Sequence, residues 1–371
     1  MAAVRLEHIN KKFGKTEVIH DLSFETRDGE FSFILGPSGA GKTTILSLIA
    51  GILPLNDGSV YINKNPVNKL KPKDRNVAIA FESYALYPNR TVYGNIRFPL
   101  DAPIRRKDMT EAEKDKRIRE IAQLLQIEDL LQRYPKELSG GQRQRVALGR
   151  TLIRKPALYL LDEPIAHLDA KLRHQMRGEL KRLQKELGIP VICASPDQSE
   201  AVAMADRIFV LNKGGLEQEG TADELYFHPA NEFAALMLGE PKMSLIPVEI
   251  ERTGDALYVF NRDIRFRAIK NFNALAKERN LPGSIELGLR PTDVQVSFSE
   301  KEGFHQFTVD FFQVNGERLV INTVRGSTKI VVTLGYRAGE TVTAGQNIWL
   351  AWESENLYAF DPVSKKSVFR Q

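Results

Sequence analysis

Cysteine is almost absent: Cys193 is the only one in 371 residues. A single thiol excludes an internal disulfide and suits a reducing compartment. Strong charge of either sign is missing as well. The 52 Lys and Arg residues against 47 Asp and Glu leave a net charge of +5. The basic residues are dispersed apart from short clusters such as Lys69–Arg75, which read as solvated faces. That balance gives no electrostatic footprint for nucleic acid. The stretch MAAVRLEHIN at 1–10 has no apolar core of signal-peptide length. No run approaches the ~20 apolar residues of a membrane span, so any link to a membrane is expected to go through a partner. Low-complexity tracts and solenoid-period repeats are missing too. What is present fits a globular protein, 42% hydrophobic and 27% charged. The length points to two or more domains.

The first part of the chain, to about residue 235, alternates strand-like and helix-like patterns. FSFIL (31–35), VAIAF (77–81), ALYLL (157–161), VICA (191–194) and RIFVL (207–211) read as short buried strands. Leu172, Met176, Leu180, Leu183 and Leu187 repeat at helical spacing, with Gly188 as a stop. Ile118, Ile121 and Leu125 mark a second helix stripe. Alternation of this kind predicts a mainly parallel sheet covered by helices. The segment from about 90 to 150 carries long charged helices and no clear strand, as a helical insertion would. After residue 240 the texture changes to short strand candidates separated by turns, with Asn315-Gly316 as a hairpin signal. This predicts a separate small β-barrel beginning near LGEPKM (238–243).

Two runs carry chemistry. GPSGAGKTT (36–44) fits G-x-x-x-x-G-K-[ST], follows a strand and opens a helix. Glycines let backbone N–H groups converge on an anion, and the helix N-terminus adds partial positive charge. Lys42 can reach β- and γ-phosphates, and the Thr43 hydroxyl can bind Mg²⁺. ALYLLDEP (157–164) brings Asp162 to a strand end, where it can hold the Mg²⁺ shell. Glu163 beside it can polarise an attacking water.

Between them lies LSGGQRQRVALGR (138–150), which matches the signature of ATP-binding cassette ATPases. The chain resembles that family, and within it the ATPase subunits of carbohydrate importers of the maltose and glycerol-phosphate type. SYALYPNRTVYGNI (83–96), LDAKLR (168–173), EAVAMADRI (200–208) and LGLRPTDV (287–294) carry the closer likeness. The resemblance implies an α/β P-loop ATPase domain at 1–237, with a helical subdomain at about 90–150. An all-β, OB-like regulatory barrel is implied at 243–371. ATP and Mg²⁺ are the implied cofactors. Phe13 is implied to stack on adenine. Gly36, Pro37, Ser38, Gly39, Ala40, Gly41, Lys42, Thr43 and Thr44 are implied to hold the phosphates, and Glu163 to be catalytic. Ser139, Gly140, Gly141 and Gln142 would cap the γ-phosphate of a second ATPase protomer. Asp169 belongs to the loop crossing that interface. Implied partners are integral membrane permease subunits, met around Ser83–Asn95, and, indirectly, an extracytoplasmic solute-binding protein. The implied location is the cytoplasmic face of the cell membrane.

Two positions depart from the family pattern. VICASPDQSEA (191–201) has Pro196 where relatives usually have a histidine that reaches the γ-phosphate. No histidine lies between His174 and His228 to replace it. Relatives have glutamine where this chain has Glu82. A carboxylate there can ligate Mg²⁺, and it also adds repulsion near a triphosphate. Both changes fall on the site built on this chain's own phosphate loop, while the signature is intact. The expectation is an asymmetric pair with a second, complete ATPase. A slow homodimer and a non-hydrolytic regulatory subunit are the alternatives. His167 is expected to be a surface histidine.

Overall fold

The computed structural model describes residues 2–102, 109–253, 256–268, 283–336 and 342–368. They form two compact units, Met1–Ala222 and Asp223–Gln371.

The first unit opens with the antiparallel strands β1 (Ala2–Phe13) and β2 (Thr16–Arg27). Strand β3 (Phe31–Leu35) runs through the loop 36–41 into helix α1 (Lys42–Ala50). Strands β4 (Asp57–Ile62) and β5 (Asn65–Pro66) return to β1, giving a sheet of order β2-β1-β4-β5. Next come β6 (Val77–Ala80) and the helices α2 (Val92–Arg97), α3 (Glu111–Leu124) and α4 (Gly140–Leu152). The unit continues with β7 (Leu158–Asp162), α5 (Ala170–Leu187), β8 (Val191–Ser195), α6 (Gln198–Met204), β9 (Arg207–Asn212) and β10 (Gly215–Gly220). A second sheet has the order β10-β9-β3-β8-β7-β6. All its pairings are parallel except β10 with β9.

The five expected parallel strands are therefore present. The antiparallel sheet of β1, β2, β4 and β5 was not anticipated. Register shifts along β1, between Leu6 and Ile9 and between Ile9 and Lys11, interrupt its period of two, and Lys11 is itself buried. In β2 only Ile19, Leu22, Phe24 and Thr26 turn fully inward, as suits a sheet with one wet face. Helix α1 packs Ile45, Leu46, Leu48 and Ile49 into a core shared with Ile34, Leu160, Ile192 and Phe209. Helix α5 follows its predicted stripe. Leu172, Met176, Leu180 and Leu183 are buried, Asp169 caps the N-terminus, and Gly188 ends the helix at φ 61°. Strand order fixes which loops meet. Strand β8 lies between β3 and β7, and its register pairs Ser195 with Leu35 and Ala194 with Asp162. Three strand ends thus come level at one edge, the crevice where open parallel sheets bind ligands.

The second unit takes in most of α7 (Ala222–Phe227) and all of α8 (Glu232–Met237). Its first five strands are β11 (Ser244–Thr253), β12 (Ala256–Phe260), β13 (Arg265–Ala268), β14 (Ser284–Leu289) and β15 (Val294–Ser297). The others are β16 (His305–Asn315), β17 (Arg318–Arg325), β18 (Thr328–Gly335), β19 (Asn347–Trp352) and β20 (Leu357–Phe360). They make two antiparallel sheets, β13-β12-β11-β14-β20 and β15-β19-β16-β17-β18. Val248, Val259 and Leu287 of the one share an apolar core with Phe307, Ile321, Val332 and Leu350 of the other. The predicted hairpin joins β16 to β17. Asn315 pairs with Arg318, so the turn itself is Gly316-Glu317, with Gly316 at φ 63°. Within this unit Arg290 is wholly buried. Its guanidinium donates to the carbonyls of Tyr226 (2.7 Å), Ala235 (3.0 Å) and Leu238, and lies 4.0 Å from the Tyr226 ring. One side chain thus ties the ends of α7 and α8 to the end of β14.

Candidate functional site

The loop after β3 is shaped by close approaches. A Cβ on Gly36 would lie 2.5 Å from the Leu211 carbonyl oxygen. Gly41 sits at φ 101°, and a Cβ there would lie 2.5 Å from Ile19 Cδ1. Neither position accepts a side chain. Pro37, Ser38, Gly39 and Thr43 are exposed, Thr44 is half-buried, and Ala40 and Lys42 are buried. The Lys42 ammonium donates to the carbonyls of Gly36 (3.0 Å) and Pro37 (3.1 Å). Burial pushes its pKa down, against the pull of Glu163, Asp162 and Glu82.

Three carboxylates from two strand ends therefore face one lysine. Asp162 closes β7 and is 2% exposed. Burial raises its pKa, a hydrogen bond with the Thr43 side chain opposes the rise, and the Glu82 charge adds to it. Asp162 Oδ1 is buried with no hydrogen-bond partner. Glu163 follows at φ 46°, a left-handed conformation that costs a non-glycine residue energy. Burial raises its pKa as well, and Glu82 is the next cause. Glu82 itself is exposed in the turn after β6.

Pro196 is exposed at the tip of β8, between the Lys42 loop and the Glu163 strand. It offers no donor. The next residue, Asp197, caps α6 by accepting from the Ser199 N–H at 2.8 Å. His167 is exposed and meets the Tyr84 ring edge-on at 5.9 Å. Ser139 caps α4 in a reciprocal pair with Gln142 (3.3 and 2.8 Å). A Cβ on Gly140 would meet open space, whereas one on Gly141 would lie 3.1 Å from the His167 carbonyl oxygen. Asp169 is exposed and accepts from the Leu172 N–H at 2.9 Å. Phe13 is 45% exposed at the end of β1, 5.0 Å from the Lys11 ammonium, and so is no core residue.

Sequence reasoning missed two supporting residues, both on α4. Arg150 donates to the carbonyls of Tyr84 (3.2 Å) and Ala85 (2.7 Å), which sit at φ 61° and 42°. Gln144 donates to the Glu163 carbonyl at 2.8 Å and accepts from the His167 N–H at 3.1 Å. Helical spacing from Gly141 was the available signal for Gln144. Nothing local pointed to Arg150.

A family model described as ABC transporter matches residues 19–166. The chain is 39% identical to the trehalose/maltose import ATP-binding protein MalK of Thermococcus litoralis, over 100% of both chains. It belongs to the ABC transporter family. This ABC chain is also 38% identical to the sn-glycerol-3-phosphate import ATP-binding protein UgpC of Salmonella typhimurium, covering 97% of this chain and 98% of the relative. It is 35% identical to the uncharacterized ABC transporter ATP-binding protein YurJ of Bacillus subtilis, again over 100% of both. Among solved structures it matches the dimeric, ADP- and Pi-bound post-hydrolysis state of the ATP-binding cassette MJ0796. The TM-score is 0.55 and the identity 31%, over 59% of this chain and 98% of that one. The ABC chain is by these relations an ATPase of the ABC class.

Proposed function

We propose that this chain is the ATP-hydrolysing subunit of an importer for a sugar or a related polyol or phosphate solute. The observation that carries the proposal is the convergence of Lys42, Thr43, Asp162 and Glu163 at level strand ends. The full-length likeness to import ATP-binding proteins supports the solute class. In this reading residues 36–44 hold the ATP phosphates, Phe13 stacks on the adenine, and Lys42 turns its ammonium from two carbonyls to phosphate oxygens. The donor set fits Mg²⁺: Asp162 Oδ1 is a buried, unpartnered oxygen, and the Thr43 side chain acts on this carboxylate. Thr43 and Asp162 would hold Mg²⁺, which would supply charge neutralisation to the phosphates. Glu163 accepts a proton from water.

The ATPase part is assigned to 1–237 and a regulatory part to 243–371. Ser139, Gly140, Gly141, Gln142 and Asp169 serve the site of a second ATPase subunit. Membrane permease subunits are the further partners, with a solute-binding protein reached through them. Among the described residues no helix is long and apolar enough to cross a membrane. In this reading the chain attaches peripherally at the cytoplasmic face, through the permease.

The pair is asymmetric. Pro196 replaces a donor at the strand between Lys42 and Glu163, and the Glu82 charge works against ionisation of Asp162 and Glu163. This chain's own site therefore hydrolyses poorly, and its signature completes an active site on the partner. The test is the complex purified with its natural partners. Glu163→Gln in this chain should change steady-state turnover little, and the equivalent change in the partner should nearly stop it. The opposite pattern, or an active complex with no second ATPase chain, would overturn the asymmetry.

A further inference from the structure

Gln144 lies on the signature helix and is 3% exposed. Both ends of its amide are engaged on one loop. Nε2 donates to the Glu163 carbonyl and Oε1 accepts from the His167 N–H. The loop between these points holds Glu163 at its left-handed φ and leads to Asp169 at the start of α5. Gly141 is one turn earlier on the same helix face and sits closest to the His167 carbonyl. Helix α4 therefore docks on this loop at two successive turns. The Glu163 N–H donates to the Ala194 carbonyl at 2.8 Å, so the residue is clamped from β8 on one side and from α4 on the other.

We propose that Gln144 is a positioning residue. Its amide holds Glu163 in the conformation that aims the carboxylate at water, and it joins that carboxylate to the helix whose N-terminus serves the partner's site. A left-handed non-glycine residue relaxes once its surroundings no longer fix it. A glutamine amide fits because the loop presents one acceptor and one donor, and only a group with both can satisfy them. This role rests on the ATPase reading of Glu163, so the test separates the two.

The experiment uses the full chain, as Gln144→Ala and Gln144→Glu, in the native background and with Glu82→Gln and Pro196→His together. Hydrogen exchange comes first. Loss of one buried bond should speed exchange of the His167 amide about tenfold in Gln144→Ala. Gln144→Glu retains the acceptor and should leave that amide protected, and exchange in α1 should not change in either variant. Single-turnover Mg-ATP hydrolysis and ATP titration come second. In whichever background hydrolyses faster, both variants should lose roughly 10- to 100-fold in rate, because misplacing a reacting group by an ångström is worth that much. ATP affinity should stay within about twofold, since the phosphate loop is untouched. Unchanged exchange at His167 in Gln144→Ala, an unchanged rate, or affinity falling in step with rate would overturn the proposal. A parent chain that binds no ATP would overturn the ATPase reading instead, and the exchange result would then decide the positioning role alone.

Discussion

Replacing Lys42 by methionine tests the phosphate site without emptying the space the side chain fills. Lys42 is 5% exposed, so an alanine would leave a gap under the loop, whereas methionine keeps the length of the stem. The ammonium donates to two loop carbonyls, at 3.0 and 3.1 Å. With ATP bound it transfers to phosphate oxygens, so the variant loses a charge-assisted hydrogen bond worth about 1.5–3 kcal/mol. That corresponds to roughly a 10- to 150-fold rise in the dissociation constant. The surroundings push toward the upper end. Glu163, Asp162 and Glu82 all act on Lys42, and without it these three carboxylates face a triphosphate with that ammonium charge removed. Calorimetric titration with Mg-ATP reads the affinity, and a thermal melt of the same sample shows that the variant is folded. A folded Lys42→Met chain that binds ATP within about threefold of the parent would refute the assignment of this loop, since losing the bond predicts at least tenfold.

Glu82→Gln should move the acid limb of single-turnover hydrolysis to lower pH. The Glu82 charge raises the pKa of Glu163 and Asp162, and a general base must be ionised to work. The same sign applies to stability: a carboxyl with a raised folded-state pKa favours the folded chain at low pH, and that contribution is lost as pH rises through the raised value. Glu82→Gln should therefore also raise the melting temperature near neutral pH, and an acid limb that stays put or moves upward would count against the charge cluster. Arg290→Met should destabilise the second unit by about 2–5 kcal/mol, because the buried carbonyls of Ala235 and Leu238 lose this donor, while the half-buried Tyr226 carbonyl keeps the Tyr358 hydroxyl at 3.4 Å. In a calorimetric scan of the full chain this is a drop of roughly 10 °C in one transition; a shift below about 2 °C would show that α7 and α8 are held some other way.

Sequence alone determined the chemistry-bearing pieces, because each is local. A phosphate loop needs glycines, a lysine and a helix start within nine consecutive residues, and 36–44 supplies them in order. The helix stripe of α5, its cap at Asp169 and its stop at Gly188 are readable for the same reason. The change to short strands after residue 240 was equally plain. The antiparallel sheet of β1, β2, β4 and β5 was not, since register shifts along β1 break its period of two. Other facts came only from the tertiary structure. Strand order put β8 between β3 and β7, which makes Pro196 a neighbour of residues more than thirty positions away. It also set the Glu82 charge against Asp162 and Glu163, an effect that depends on distance through space. Gln144, Arg150 and Arg290 each bond to backbone carbonyls of a distant segment. A carbonyl is present at every residue, so no side-chain pattern in the sequence could mark which ones they would reach.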